Sequence, residues 1–290
     1  MPSDDDKGRL GVILIMIVAI VVSIVIFNGF IPEGDDNTDP DVYIPDYPAG
    51  EFVDYVNDGD TFKTVEGDYI RLLGINTEET GMPHSSAAKH RLEQLLNSGE
   101  IRLEKDIEDL DVYGRQLRYV FAGDVFVNLE LVREGYAHVY VIPPNTKYWD
   151  ELMDAEQEAR EKELVLWQPS GYDVVITELE PVQGSGADGL NIERVTFRND
   201  GNATIDMDGW TVKDEGTHIF EFEDFTLAPG QTVSLRSGEG SDTLASVYWH
   251  DDSSVWNNDG DVCFLRDDNG LLVDGWRYDP DGGGYIWTKY

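Results

Sequence analysis

The chain has 290 residues, 41% of them hydrophobic, with 7 Trp and 14 Tyr, which suffices for two domains with cores of their own and excludes disorder along the whole length. Against 21 basic residues stand 58 acidic ones, a formal net charge of -37, which excludes a broad basic face for polyphosphate. Any nucleic-acid chemistry must therefore use a local cationic pocket or a metal.

The acids are spread along the chain and do not gather into one interaction tail. This reads as a solvating surface for high-salt surroundings, where charge is screened over about 3 Å at 1 M salt. The single Cys263 rules out an intramolecular disulfide, and the His residues at 84, 90, 138, 218 and 250 lack metal-ligand spacing, so no zinc site is expected.

Residues 10–31, LGVILIMIVAIVVSIVIFNGFI, form an apolar run of about 20 residues, the length that spans a bilayer core. No small-x-small cleavage site follows, so the run reads as an uncleaved transmembrane anchor. Lys7 and Arg9 flank its N-terminal side, and no Lys or Arg follows before Lys63. The positive-inside rule then places the N-terminus in the cytoplasm and everything after the anchor outside the cell membrane. Residues 32–50, rich in Pro, Asp and Gly, read as a solvated acidic linker.

From Glu51 short apolar alternations appear at 51–56, 61–65, 69–75, 100–104 and 115–121, separated by turn signals such as Asn57-Asp58-Gly59. A helix is expected at 85–96, where Ala88, Leu92, Leu95 and Leu96 recur at helical spacing, with further helices at 127–134 and 147–164. Five strands with a helix after the third, then more helices, predict an OB-fold barrel with packed helices over residues 51–168. Beyond Gln168-Pro169-Ser170-Gly171, strand-like runs at 174–179, 192–198, 210–213, 218–222, 232–236, 262–266 and 271–277 include no helical segment. They predict an immunoglobulin-like β-sandwich over 172–279, followed by a tail at 280–290. Fold class is thus mainly β with some α.

Three segments of the first domain hold the parts a phosphodiesterase needs: oxygens for a hard cation, a carboxylate base, and arginines for charge on phosphorus. They are Asp58-Gly59-Asp60-Thr61, the strand end running from Arg71 to Thr80, and Asp111-Val112-Tyr113-Gly114-Arg115. Singly, each has an ordinary reading as a hairpin turn, a surface ion pair or a loop.

In order, and with VNLELVREGYAHVYV at 127–141, PPNT at 143–146 and the LVLW ending at Trp167, these segments resemble the staphylococcal nuclease (thermonuclease) family from about Glu51 to Trp167. The resemblance implies a Ca2+ ion held by Asp60, the residue at 76 and the Thr77 carbonyl, with Asp58 close by. It further implies Glu79 as the general base for water, Arg71 and Arg115 as the groups that stabilise the transition state, and Tyr113 and Tyr140 as nucleotide contacts. The reaction implied is hydrolysis of DNA or RNA at the 5′ P–O bond.

The sequence departs from that family at Asn76, where the family carries a second metal-binding Asp, and at Glu78, where it usually has Pro. Either Glu78 restores part of the lost charge or abundant ambient cation makes tight binding unnecessary. The competing reading is a catalytically weakened surface module that only binds nucleic acid or protein. Val112 and Ile142 stand where the family often has Lys and Tyr, which reduces nucleotide contacts.

Residues 51–168 carry 12 basic and 25 acidic residues, and those from Tyr172 onward 7 and 24, so the cations concentrate in the first domain. In the second domain, ERVTFRN at 193–199, DMDGWTV at 206–212, LAPGQT at 227–232 and VWNNDGD at 255–261 resemble the lamin-tail family, an immunoglobulin-like sandwich whose members bind varied partners. Its partner is left unknown. Asp251-Asp252 and Asp259-Gly260-Asp261 read as turns, Trp210, Trp249 and Trp256 as core, and Cys263 as a buried inert thiol.

Overall fold

The computed structural model describes residues 52–97, 100–181, 187–258, 260–278 and 285–287. The expected anchor at 10–31 and linker at 32–50 lie outside the described residues. Among the described residues no helix is long and apolar enough to cross a membrane.

The first part is an OB-fold barrel. Strands β1 (Val53–Val56), β2 (Thr61–Thr64) and β3 (Tyr69–Leu72) form an antiparallel meander. β3 then pairs in parallel with the start of β6 (Gln116–Ala122), whose end pairs with β5 (Ile101–Glu104) on one edge and with the short β7 (Val125–Phe126) on the other. The single strand expected at 69–75 is broken at Gly74, whose φ of 76° turns the chain. After it comes β4 (Ile75–Asn76), paired with β8 (His138–Val139). The positive φ of Gly74 calls for glycine, and a Cβ there would also push on Leu152 Cδ1 at 2.6 Å.

Helix α1 (Ser85–Leu96) has the bounds expected from its periodicity, burying Ser85, Ala88, Leu92 and Leu96 along one face. Helices α2 (Val127–Arg133) and α3 (Trp149–Glu161) complete the shell over a core built on Phe62, Ile70, Leu72, Leu92, Val120 and Leu131. α3 is shorter than expected because Glu163 adopts a left-handed conformation, φ 52°. The Glu163 and Leu164 amides then return to the Arg160 and Ala159 carbonyls in a Schellman ending.

The second part is a sandwich. One sheet runs β16 (Ser246–Tyr248), β15 (Thr232–Arg236), β10 (Arg194–Asn199), β9 (Val174–Glu180). The other runs β13 (Ile219–Glu221), β12 (Thr211–Lys213), β17 (Asp261–Arg266), β18 (Leu272–Tyr278), β19 (Tyr285–Trp287). β11 (Ile205–Asp206) and β14 (Thr226–Leu227) pair separately. Val195, Phe197, Trp210, Leu235, Trp256 and Cys263 fill the space between the sheets, while Trp249 packs on its margin. Two expectations change. A helical turn, α4 (Ala187–Leu190), interrupts the all-strand pattern, and the expected tail supplies β19.

The sandwich is packed against the barrel through β17, which is buried along its whole length. Alternate side chains Cys263 and Leu265 face the sandwich core, whereas Val262 and Phe264 join Ala159, Leu166 and Trp167 of the first part. The Leu272 amide reaches the Gln168 carbonyl at 2.8 Å, and Arg266 Nη1 reaches the Leu166 carbonyl at 2.5 Å. Gly270, φ 79°, sits so close to α1's entry that a Cβ there would meet Pro83 Cβ at 2.4 Å.

Candidate active site

The turn between β1 and β2 fixes the first carboxylate. Asp58 Oδ1 accepts the Asp60 amide at 3.1 Å, and a Cβ on Gly59 would lie 2.6 Å from Thr77 Oγ1, so the Asp-Gly-Asp order brings two acids and Thr77 together. Asp60 Oδ2 accepts both the Thr77 amide and its hydroxyl at 3.0 Å, while Oδ1 accepts Thr61 Oγ1 at 3.1 Å and faces Arg71 Nε at 3.2 Å. Burial alone would raise the Asp60 carboxyl, but the Arg71 charge and the Thr77 hydrogen bonds outweigh it and hold it below the usual range.

Arg71 braces the Gly74 turn. Its Nη1 donates to the Leu72 and Ile75 carbonyls at 2.7 and 2.9 Å, and its Nη2 to Asn76 Oδ1 at 3.0 Å. The amide of Asn76 is divided: Oδ1 faces Arg71, and Nδ2 donates to the Glu215 and Gly216 carbonyls of the sandwich at 3.2 and 2.8 Å. His138 Nε2 meets the same Glu215 carbonyl at 2.9 Å. Burial, with Lys213 next, pushes this His down to about 3. It is therefore neutral, and because a carbonyl only accepts, the ring proton sits on Nε2.

Glu78 is placed differently from the expectation that it supplements the metal donors. Its carboxylate turns into the domain interface, 3.1 Å from Lys213 Nζ and 3.3 Å from Arg266 Nε. Burial opposes its charge, yet Lys213 and Arg266 overcome that and bring its pKa to about 2. The negative charge is already spent on two buried cations. Glu79, one residue on, faces the opposite way into the cleft, and among the described residues its carboxylate accepts no hydrogen bond. Burial raises its pKa, and Asp60 and Asp58 add to that against the pull of Lys213 and Arg71.

The opposite wall comes from the 111–115 turn. The Asp111 carboxylate accepts the Tyr113 and Arg115 amides at 2.9 Å and Arg115 Nε at 2.6 Å. This leaves the Arg115 guanidinium pointing across to Thr61 Oγ1 at 3.4 Å, beside Asp60. Tyr113 is 82% exposed at the cleft mouth with Arg115 5.4 Å from its ring, and Tyr140 is partly buried on the far side. All the residues expected at the site line one cleft of about 580 Å3, with Val112 and Ile142 as apolar rim.

The chemistry of the donor set fits a hard divalent cation. Every candidate ligand is an oxygen: the carboxylates of Asp58, Asp60 and Glu79, Asn76 Oδ1 and the Thr77 carbonyl. Asp58 is raised by burial and then by the Asp60 charge, and Glu79 also feels both acids, so the group carries repulsion that a cation would relieve. Among the described residues no three His, Cys, Asp or Glu side chains stand together closely enough to hold an ion alone. An ion here would lean on the Asn76 amide and Thr77 carbonyl.

Sequence reasoning missed the contribution of the second domain. Lys213 Nζ reaches the Thr77 carbonyl at 3.4 Å, and Thr217 lines the cleft. Nothing in the local pattern marked Lys213, which closes the short Thr211–Lys213 strand as an ordinary surface charge would.

A barrel whose mouth gathers acids and two arginines around one cleft defines a phosphoester hydrolase of the nuclease type. The profile of the staphylococcal nuclease homologue family matches residues 69–169, and that of the Lamin Tail Domain matches residues 168–280. The chain is 35% identical over 173 residues to the thermonuclease of Staphylococcus intermedius, an alignment covering 56% of this chain and 98% of that protein. It is 41% identical over 131 residues to endonuclease YncB of Bacillus subtilis, covering 41% of this chain and 62% of the relative. It is 43% identical over 131 residues to the SPbeta prophage-derived endonuclease YokF of the same organism, covering 41% and 44%. The chain belongs to the staphylococcal nuclease homologue family, its nuclease domain followed by a lamin tail domain.

Proposed function

We propose that this chain is a Ca2+-dependent nuclease that hydrolyses phosphodiester bonds of DNA or RNA outside the cell, held to the membrane by residues 10–31. The observation that carries the catalytic reading is the convergence of Glu79, Arg71 and Arg115 on one cleft, with the Glu79 carboxylate accepting no hydrogen bond among the described residues. A raised carboxyl beside the cleft suits proton removal from water, because the base then lies nearer the operating pH.

Arg71 spends its Nε and Nη1 on Asp60 and the Gly74 turn, which fixes its plane, and keeps part of Nη2 for a phosphate oxygen. Arg115, anchored through Nε alone to Asp111, turns its outer nitrogens to the same place. Two guanidinium groups fixed before substrate arrives stabilise charge on phosphorus without reorganising. Asp60, Asn76 Oδ1 and the Thr77 carbonyl would hold the cation, which supplies charge stabilisation to the phosphoryl oxygens. Tyr113, exposed at the mouth, and Tyr140 are placed to contact the nucleotide.

The membrane reading rests on the length of the apolar run and the Lys7 and Arg9 flank, and the acidic surface supports work at high salt. Cell fractionation and protease accessibility of the nuclease domain on intact cells test the location.

One residue favours the second reading, a module that binds without cutting: Asn76 brings one negative charge fewer to the donor set than an aspartate would. The deciding experiment is a DNA and RNA cleavage assay on the full chain in high salt, with and without Ca2+, beside Glu79→Ser. Cleavage by the wild type that the variant loses while keeping its affinity supports the enzyme. Absence of cleavage at every Ca2+ level supports the binding module.

A further inference from the structure

We propose that the lamin tail domain is a working part of the nuclease site, with Lys213 as the residue that positions the segment from Asn76 to Glu79. The inference rests on the catalytic reading above and adds to it the origin of the site's rigidity. Every residue of that segment before Glu79 is gripped from the second domain. Asn76 gives its Nδ2 to the Glu215 and Gly216 carbonyls at 3.2 and 2.8 Å, Thr77 offers its carbonyl to Lys213 Nζ at 3.4 Å, and Glu78 pairs with Lys213 at 3.1 Å and Arg266 at 3.3 Å.

The sandwich is built to deliver that lysine. Lys213 lies opposite Phe264 in the β12–β17 register, on the face of the sheet that meets the barrel, while its neighbour Val212 enters the sandwich core. It is 2% exposed, so its ammonium has exchanged water for two protein oxygens, an arrangement that holds only while both remain in place. The segment so held carries Glu79 at its end and offers the Asn76 and Thr77 oxygens within it.

This also gives Asn76 a positive role. An amide can face Arg71 with its oxygen and two carbonyls with its nitrogen, which an aspartate cannot. The residue that departs from the family pattern is the one the second domain needs. The turn that grips it runs on to Thr217, so the same loop forms part of the cleft wall.

The test uses the full chain with Lys213→Met, Lys213→Arg and Glu79→Gln. In Lys213→Met the buried Glu78 keeps Arg266 as partner, which favours retention of the fold. Three quantities are read: kcat and KM for DNA separately, Ca2+ affinity by calorimetry, and hydrogen exchange of the Thr77–Glu79 amides against those of Val120 in the barrel core. Lys213→Met should lower kcat about 10-fold to 100-fold with KM within about twofold, as expected for a misplaced base. It should also speed exchange at residues 77–79 while leaving Val120 protected, and shift Ca2+ affinity, since the looser segment opposes binding while loss of the lysine's charge from the Thr77 carbonyl favours it. Lys213→Arg should recover most of each.

A folded Lys213→Met with wild-type kcat, Ca2+ affinity and exchange overturns the proposal. Should that variant fail to fold, Lys213→Met combined with Glu78→Gln, which removes both sides of the grip and leaves no carboxylate short of its lysine, carries the same test, and unchanged values again overturn it. An inactive wild type, or a Glu79→Gln variant as active as wild type, defeats the catalytic reading instead, and the exchange and Ca2+ measurements still decide the role of Lys213.

Discussion

Asn76 of the barrel donates its side-chain nitrogen to the Gly216 carbonyl of the sandwich at 2.8 Å, 140 residues away in sequence. Replacing Asn76 by Asp would set a carboxylate against that carbonyl and its Glu215 neighbour, leaving acceptors facing acceptors in a buried place. The expected loss is about 1–3 kcal/mol of stability in Ca2+-free buffer, read from denaturant unfolding. Ca2+ should then restore more stability to the variant than to the wild type, because the added charge strengthens the donor set. A variant as stable as wild type without Ca2+ would show that the contact carries no weight.

Removing the chemistry should leave the fold intact. Glu79→Gln is expected to slow single-turnover cleavage by about 10²–10⁴, the range of a general base. Arg115→Met should slow it by about 10²–10³, as for loss of one preorganised donor to a charged transition state. Glu79 lies exposed at the cleft and Arg115 on a turn that Asp111 also holds through backbone amides, so melting should change little in either. A large drop in melting temperature would assign them a structural role.

Activity should first rise and then fall as salt is added. A nuclease with a net charge of -37 repels its substrate at low ionic strength, and screening relieves this long-range repulsion before it weakens contacts inside the cleft. Initial rates on a fixed DNA substrate from low to molar salt check this. A steady decline from the lowest concentration would contradict it.

Stability should fall as pH rises across neutrality. Burial, with the Asp214 charge adding, pushes Asp261 up to about 7 despite the hydrogen bonds it accepts from the Asn257, Glu215 and Val262 amides. The folded state thus holds a proton that the unfolded chain has released. Its contribution is complete below the ordinary Asp value of 3.8 and disappears as pH rises through about 7. Glu215, pushed up to about 8 by burial and then by Asp261, acts in the same direction. Denaturant unfolding at pH 5, 6, 7 and 8 should show the decline, with a shallower slope in Asp261→Asn. A slope unchanged by that substitution would exclude Asp261 as its source.

What the sequence revealed was what local pattern encodes. α1 carries Ala88, Leu92 and Leu96 at intervals that only a helix aligns, and its bounds emerged without error. Asp58, Asp60, Arg71, Glu79 and Arg115 were found because their segments, taken in order, resemble the staphylococcal nuclease family, and they do line one cleft. Gly74 hid the break between β3 and β4 because a glycine in an apolar run does not announce its φ. β16 was missed because three residues between polar neighbours give no period. Lys213 and Glu78 were beyond reach for a different reason: their pairing spans 135 residues, and each alone looks like an ordinary surface charge.

β17 divides its side chains between two interiors, Cys263 and Leu265 on one side and Val262 and Phe264 on the other. A strand used in this way ties the melting of the two halves together. Losing the sandwich would strip Trp167 and Leu166 of their cover, and losing the barrel would bare Val262 and Phe264 to water, each an apolar side chain worth about 1.5–3 kcal/mol when buried. Calorimetry of the full chain should therefore record one cooperative transition where two family domains would suggest two, and a protease that nicks either half should release both.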